Sequence, residues 1–138
     1  MNAQSATIER ALVRAGIPYR IIGGHRFYDR AEIRDIMAYI HIVVNPTDNL
    51  RLKRVINTPA RKIGNTTINT LQEIADEKGL SMIQVLYNMY DYPRLSRALA
   101  PLNNFLNIYR ALVELYRTRP MEEFVPNLLK ITGYEQML

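Results

Sequence analysis

Ile56-Asn57-Thr58-Pro59-Ala60-Arg61-Lys62-Ile63-Gly64-Asn65-Thr66-Thr67 is the stretch on which the architecture turns. Asn57-Thr58-Pro59 breaks one helix, because proline lacks an amide hydrogen and clashes with the preceding turn. A tight hairpin follows. The small polar run Asn65-Thr66-Thr67 then opens a second helix, with Asn65 as its cap. The hairpin presents Gly64 beside two bases, Arg61 and Lys62. Glycine lets a ligand approach the backbone closely. The new helix offers free N–H groups and the positive end of its dipole, and Thr66 and Thr67 add hydroxyls. These are the physical requirements of a helix-hairpin-helix that holds a DNA phosphate without reading a base. A plain capped helix after a proline loop accounts for the same residues.

Upstream, Asn49 to Ile56 reads as a short helix with bases on one side. Asn45-Pro46-Thr47-Asp48 separates it from what precedes, and Asp48 is placed to cap it. Before that boundary, Asp29 as N-cap and Glu32 three residues later form an acidic variant of the capping box. Ile33, Ile36, Met37, Ile40 and Val44 then recur at helical spacing, which predicts a well-buried helix. Tyr19–Ile22 alternates and reads as a short strand, followed by a Gly23-Gly24 turn. A first helix is expected from about Gln4 to Ala15, ended by Gly16.

Downstream the chain reads as all-helical. One helix runs to Lys78 and ends at Gly79. Ser81 starts another to about Asn88. Tyr90–Pro93 is expected to be a loop. Pro101 opens a long helix to about Arg117. Pro120 separates it from Met121–Ile131, which Gly133 ends. Tyr109 and Tyr116, seven residues apart on the long helix, have core spacing. No internal repeat or low-complexity segment interrupts the pattern.

The composition, 48% hydrophobic and 22% charged over 138 residues, is that of a globular protein with a real core. Cysteine is absent, so disulfides and thiolate metal sites are excluded. His25 and His41 have no ligand-like partner nearby in sequence. No apolar run approaches membrane-spanning length and no signal peptide is recognisable, so the default expectation is a cytoplasmic protein. The net charge is +5. Arg51, Lys53, Arg54, Arg61 and Lys62 fall between Asn49 and Thr67 with no acid among them, a local basic cluster of the kind that meets phosphate. The competing reading is a solvated face whose counter-charges come from elsewhere in the fold.

Catalytic chemistry has little to stand on. No glycine-rich phosphate loop, H-E-x-x-H or G-x-S-x-G is present. Asp29 and Glu32 are explained by capping, and Asp35 has Arg34 beside it, so no catalytic residue and no metal site is assigned. Phe27 and Tyr28 stand beside Arg26 and Arg30. Aromatics flanked by arginines can stack on single-stranded bases, which makes Arg26, Phe27 and Arg30 candidate single-strand contacts. A hydrophobic staple at a helix start is the commoner use of such residues.

Several stretches in order resemble superfamily 1 helicases of the UvrD/PcrA/Rep kind. They are Asn2-Ala3-Gln4-Ser5, Gly16-Ile17-Pro18-Tyr19-Arg20-Ile21-Ile22-Gly23-Gly24, and Arg26-Phe27-Tyr28-Asp29-Arg30-Ala31-Glu32-Ile33-Arg34-Asp35. Tyr39-Ile40 through Asn45-Pro46-Thr47-Asp48-Asn49 and Ile56 through Gly64 continue the likeness. It is dense over the first eighty residues or so and looser beyond, where helix pattern and length agree.

The resemblance implies a mainly α fold: a helical 2B-like insertion preceded by a short α-β-α piece of a RecA-like domain. Residues 1–45 would belong to the RecA-like motor domain 2A and residues 46–138 to the helical subdomain 2B. The family's Gly-Ile-Gly motif in 2B contacts duplex DNA, and Lys62-Ile63-Gly64 stands in its place, with lysine for the first glycine. The implied DNA-binding residues are Arg61, Lys62, Ile63, Gly64, Asn65, Thr66 and Thr67. The implied role is a duplex-contacting accessory region of an ATP-dependent 3′-to-5′ DNA helicase acting in repair or replication. The alternative is a free-standing helical module that binds DNA or protein.

On this reading the 138 residues are part of a longer helicase, with Met1 an artificial start. ATP and magnesium would be cofactors of the parent and not of this stretch. Partners would be sequence-neutral duplex DNA and the rest of the parent, near the nucleoid and away from any membrane. Two further expectations concern residues 1–45. The strand at Tyr19–Ile22 should either pair with Arg26–Tyr28 across the Gly23-Gly24 turn or pair with a second copy, with self-association favoured. The helix from Arg30 to Val44 should leave an apolar patch exposed.

Overall fold

The computed structural model describes residues 21–22, 25–26 and 30–137, and side chains over 31–137. Among these, Ile21–Ile22 (β1) pairs antiparallel with His25–Arg26 (β2), Ile21 opposite Arg26 and Ile22 opposite His25. The rest is mainly α-helical. The expected helix at Gln4–Ala15, the Asp29 cap and the Phe27 and Tyr28 side chains lie outside the described residues.

Helix α1, Arg30–Val44, carries the predicted apolar spacing but is buried more completely than one stripe requires. Ile36, Met37, Ala38, Tyr39, Ile40, His41, Ile42 and Val43 are all buried. A helix hydrophobic on most sides belongs inside a protein, and α1 forms a wall of the core. The expected apolar patch on this helix is therefore corrected: its residues join the same continuous core as the helices after Pro46. The described part of the expected strand, Ile21–Ile22, pairs with His25–Arg26 of the same chain.

Asn45 and Pro46 end α1, and α2 (Asn49–Val55) turns back onto it. Asp48 caps α2, its carboxylate accepting from the Arg51 amide at 3.1 Å and from the Arg51 guanidinium at 3.0 Å. After the 56–64 loop, α3 spans Asn65–Lys78 and buries Leu71, Ile74 and Ala75. Gly79 ends it at φ +66, a left-handed conformation that favours glycine. Ser81 opens α4 (Met82–Tyr87) with a complete capping box: its hydroxyl accepts from the Gln84 amide and the Gln84 side chain accepts from the Ser81 amide.

The expected loop at Tyr90–Pro93 is two short 3₁₀ turns, Met89–Asp91 and Pro93–Ala98, which bury Met89 and Leu95. Helix α5 runs Leu99–Thr118, beginning two residues before Pro101. Proline is tolerated there because first-turn amides have no intrahelical acceptor. Leu102, Phe105, Leu106, Tyr109 and Leu112 form its inner face. The Tyr109 hydroxyl donates to the Ile42 carbonyl at 3.0 Å, tying α5 to α1. Tyr116, expected in the core, is 40% exposed and sets its ring edge-on against Phe124. Helix α6, Met121–Thr132, follows Pro120 and ends at Gly133 with φ +80. Pro126 lies inside α6, where it removes one intrahelical donor, while Val125, Leu128 and Leu129 around it remain buried. A last turn, α7 (Tyr134–Met137), returns the buried Tyr134 to α1.

Candidate nucleic-acid interface

The 56–64 loop is shaped from within by Asn57. Its side-chain carbonyl accepts from the Arg61 amide at 2.6 Å and from the Ile63 amide at 3.1 Å, closing the hairpin around itself. The Thr58–Pro59 peptide is cis. The functional weight of Asn57 was not apparent from sequence. An asparagine just after a helix and before a proline segment is a turn signal, but the amides that donate to it are chosen only by the folded loop.

The predicted contact residues separate into two groups. Lys62, Gly64, Asn65 and Thr66 are exposed and Thr67 is half-buried. Ile63 is fully buried, so its side chain belongs to the core. Lys62 has φ +64, the left-handed region where a side chain is strained. Gly64 is extended, with φ −85 and ψ 175, and is the N-cap of α3 in place of the expected Asn65. Gly64 has no side chain, and no side-chain hydrogen bond caps α3. No acidic residue lies in the first turn. The rim therefore combines a lysine, an open glycine and the positive end of a helix of fourteen residues.

Arg61 points the other way. Its Nη1 donates to the carbonyls of Val55 at 2.9 Å and Ile56 at 3.2 Å, with the Thr58 carbonyl at 3.4 Å. Its Nη2 donates to the Tyr39 hydroxyl at 2.6 Å and the Thr132 carbonyl at 2.9 Å. The cation lies 5.8 Å from the Tyr39 ring centroid and 5.5 Å from that of Phe105. The Tyr39 hydroxyl in turn donates to the Thr58 carbonyl. Burial pushes the Tyr39 hydroxyl up to about 12, with the Arg61 charge and hydrogen bond opposing that shift.

The basic cluster is thus partly neutralised inside the fold. Arg51 pairs with Asp48, and Arg54 Nε donates to Asp35 at 2.8 Å. Lys53 and Lys62 are exposed, and neither is among the ion pairs of the described residues. Arg26 and Arg30 lie in β2 and α1, and their side chains, like Phe27, are outside the described residues. Among the described residues no group of three His, Cys, Asp or Glu could hold a metal ion, and no helix is long and apolar enough to cross a membrane.

Residues 1–127 match the family described as the UvrD-like helicase C-terminal domain. The chain is 36% identical over 138 residues to the ATP-dependent DNA helicase PcrA of Leuconostoc citreum. It is 35% identical over 137 residues to the protein of that name from Bacillus subtilis. With the Staphylococcus aureus counterpart the identity is 33% over 138 residues. In each case 99% of this chain is covered, and the chain spans only 18–19% of the relative's length.

Proposed function

The chain belongs to the family of UvrD-like helicase C-terminal domains, and on that premise we propose that it is a duplex-DNA-contacting accessory region of an ATP-dependent 3′-to-5′ DNA helicase. In this reading residues 1–45 form part of the 2A motor domain, including its RecA-like α-β-α piece. Residues 46–138 form the helical 2B subdomain. The rest of the parent supplies ATP and magnesium binding for work in DNA repair or replication near the nucleoid, and this stretch hydrolyses no ATP itself.

One observation carries the proposal: Lys62, Gly64, Asn65 and Thr66 are exposed together at the start of α3, whose first turn has neither a side-chain cap nor an acid. A phosphate there meets backbone N–H groups, a helix dipole and an ammonium, with Thr66 and Thr67 hydroxyls at hand. None of these reads a base, so binding is sequence-neutral. Arg61 and Ile63 belong to the same loop but face inward.

A lone loop makes few phosphate contacts, so duplex affinity falls in the non-specific range of about 10⁻⁴ to 10⁻⁶ M and weakens with salt. Titration of a short duplex with the wild-type chain and with Lys62→Ala tests this. Loss of affinity, alike on unrelated sequences, is expected; equal binding by both proteins would sink the assignment. A free-standing interaction module draws on the continuous core that α1 shares with the later helices. A phosphate-binding loop upstream in the same reading frame would exclude that alternative.

A further inference from the structure

The five bases between Asn49 and Thr67 do not share one task. We infer that Arg61 is a positioning residue for the Lys62–Thr67 rim, locking the loop to the ends of two helices and making no contact with phosphate. The inference rests on the duplex-binding reading of the rim.

The geometry is specific to a guanidinium. Val55 closes α2 and Thr132 closes α6, and the last carbonyls of a helix have no intrahelical donor. Arg61 reaches both helix ends at once, Val55 through Nη1 and Thr132 through Nη2. A cation at a helix C-terminus is also favoured by the dipole. The planar fork lies against the Tyr39 and Phe105 rings, so its orientation is held as well as its position. The backbone amide of the same residue is held by Asn57. Lys62 is the next residue along the chain, and its left-handed backbone needs a loop fixed on both sides.

A lysine in place of Arg61 keeps the charge but cannot reproduce two directed donors to groups on opposite sides. A phosphate-binding arginine would tolerate that exchange comparatively well, since ammonium also binds phosphate. Charge and geometry are therefore separable by experiment.

The whole chain, ¹⁵N-labelled in its backbone and arginine side chains, is followed by NMR with and without a short DNA duplex. Without DNA, the Arg61 guanidinium protons should exchange slowly with water, unlike those of the exposed Arg117. On adding duplex, amides of Lys62 and Gly64–Thr67 should shift while the Arg61 guanidinium signals stay in place. Arg61→Lys should displace the loop amides even without DNA. It should weaken duplex binding about tenfold, the equivalent of losing one charge-assisted hydrogen bond, with the salt slope unchanged. Lys62→Ala should instead lower the slope by about 0.9, the value for one phosphate contact.

Guanidinium signals that move with duplex, or Arg61→Lys loop amides that match wild type, would overturn the inference. If Arg61→Lys does not fold, the wild-type guanidinium signals alone decide. If duplex moves no wild-type amide, the duplex-binding reading falls, while the exchange rates and the Arg61→Lys amides still decide whether Arg61 sets the loop.

Discussion

The Tyr134 hydroxyl donates to the Asp35 carboxylate across 2.8 Å, joining the last helical turn to the first turns of α1. The other oxygen of Asp35 accepts from Arg54 Nε at 2.8 Å, so one carboxylate links α1, α2 and α7. The Asp35 side chain is only 14% exposed, which makes the loss of either partner felt. Tyr134→Phe should destabilise the chain by about 1.5 to 3 kcal/mol, the range for a hydrogen bond to a charged group. Asp35→Ala should cost more than Tyr134→Phe, because it removes the carboxylate that both Tyr134 and Arg54 donate to. Urea denaturation of the two single variants and the double variant checks this. Strict additivity would show that the contact carries no coupling energy.

Lys62 and Gly64 differ in what their backbones tolerate. Lys62→Gly relieves the φ +64 backbone and should stabilise the chain by about 1 kcal/mol, or roughly 4 °C in Tm. The same change removes an ammonium from the rim and should weaken duplex binding. A calorimetric scan showing lower Tm for Lys62→Gly would contradict the backbone argument.

Gly64→Ala should act on binding and leave stability nearly unchanged. A Cβ there meets nothing within 4 Å, and the extended backbone suits any residue. Stability should stay within about 1 kcal/mol of wild type. The added methyl points into the space a phosphate would use, so duplex affinity should drop. Unchanged affinity in a titration would mean that no ligand approaches this backbone closely.

Gly79→Ala supplies a contrast with a purely structural glycine. At φ +66 an alanine is strained although nothing lies within 4 Å, and a loss of about 1 to 2 kcal/mol is expected. Duplex binding at saturating protein should be unaffected, since Gly79 sits at the far end of α3 from the rim. Combined stability and binding measurements on this variant separate global destabilisation from loss of the interface.

His41 predicts an acid weakness. Burial lowers its pKa below the ordinary 6.5, the Arg51 charge lowers it further and Asp48 opposes. The unfolded imidazole therefore takes up a proton at higher pH than the folded one. Its contribution to stability is full above 6.5 and is lost as pH falls below that value. Denaturation midpoints measured from about pH 7.5 down to about pH 5.5 should decline. His41→Leu should flatten part of that slope; an unchanged slope would assign the effect to other groups.

Most helix boundaries were legible in the amino-acid sequence because caps are local. Asp48, Ser81, Gly79 and Gly133 act within a turn of the residues they close, so spacing alone identifies them. The apolar period of α1 was legible for the same reason. Only the tertiary structure decided what the polar residues do. Arg61 and Lys62 are neighbours in sequence, yet one faces two helix ends and the other faces solvent. Asp35 finds its partners nineteen and ninety-nine residues away. The depth of α1 and the exposure of Tyr116 depend on which helices cover them. A periodic pattern marks the side of a helix that wants burial. Which groups meet across that side is set by how the helices pack, and no local signal encodes it.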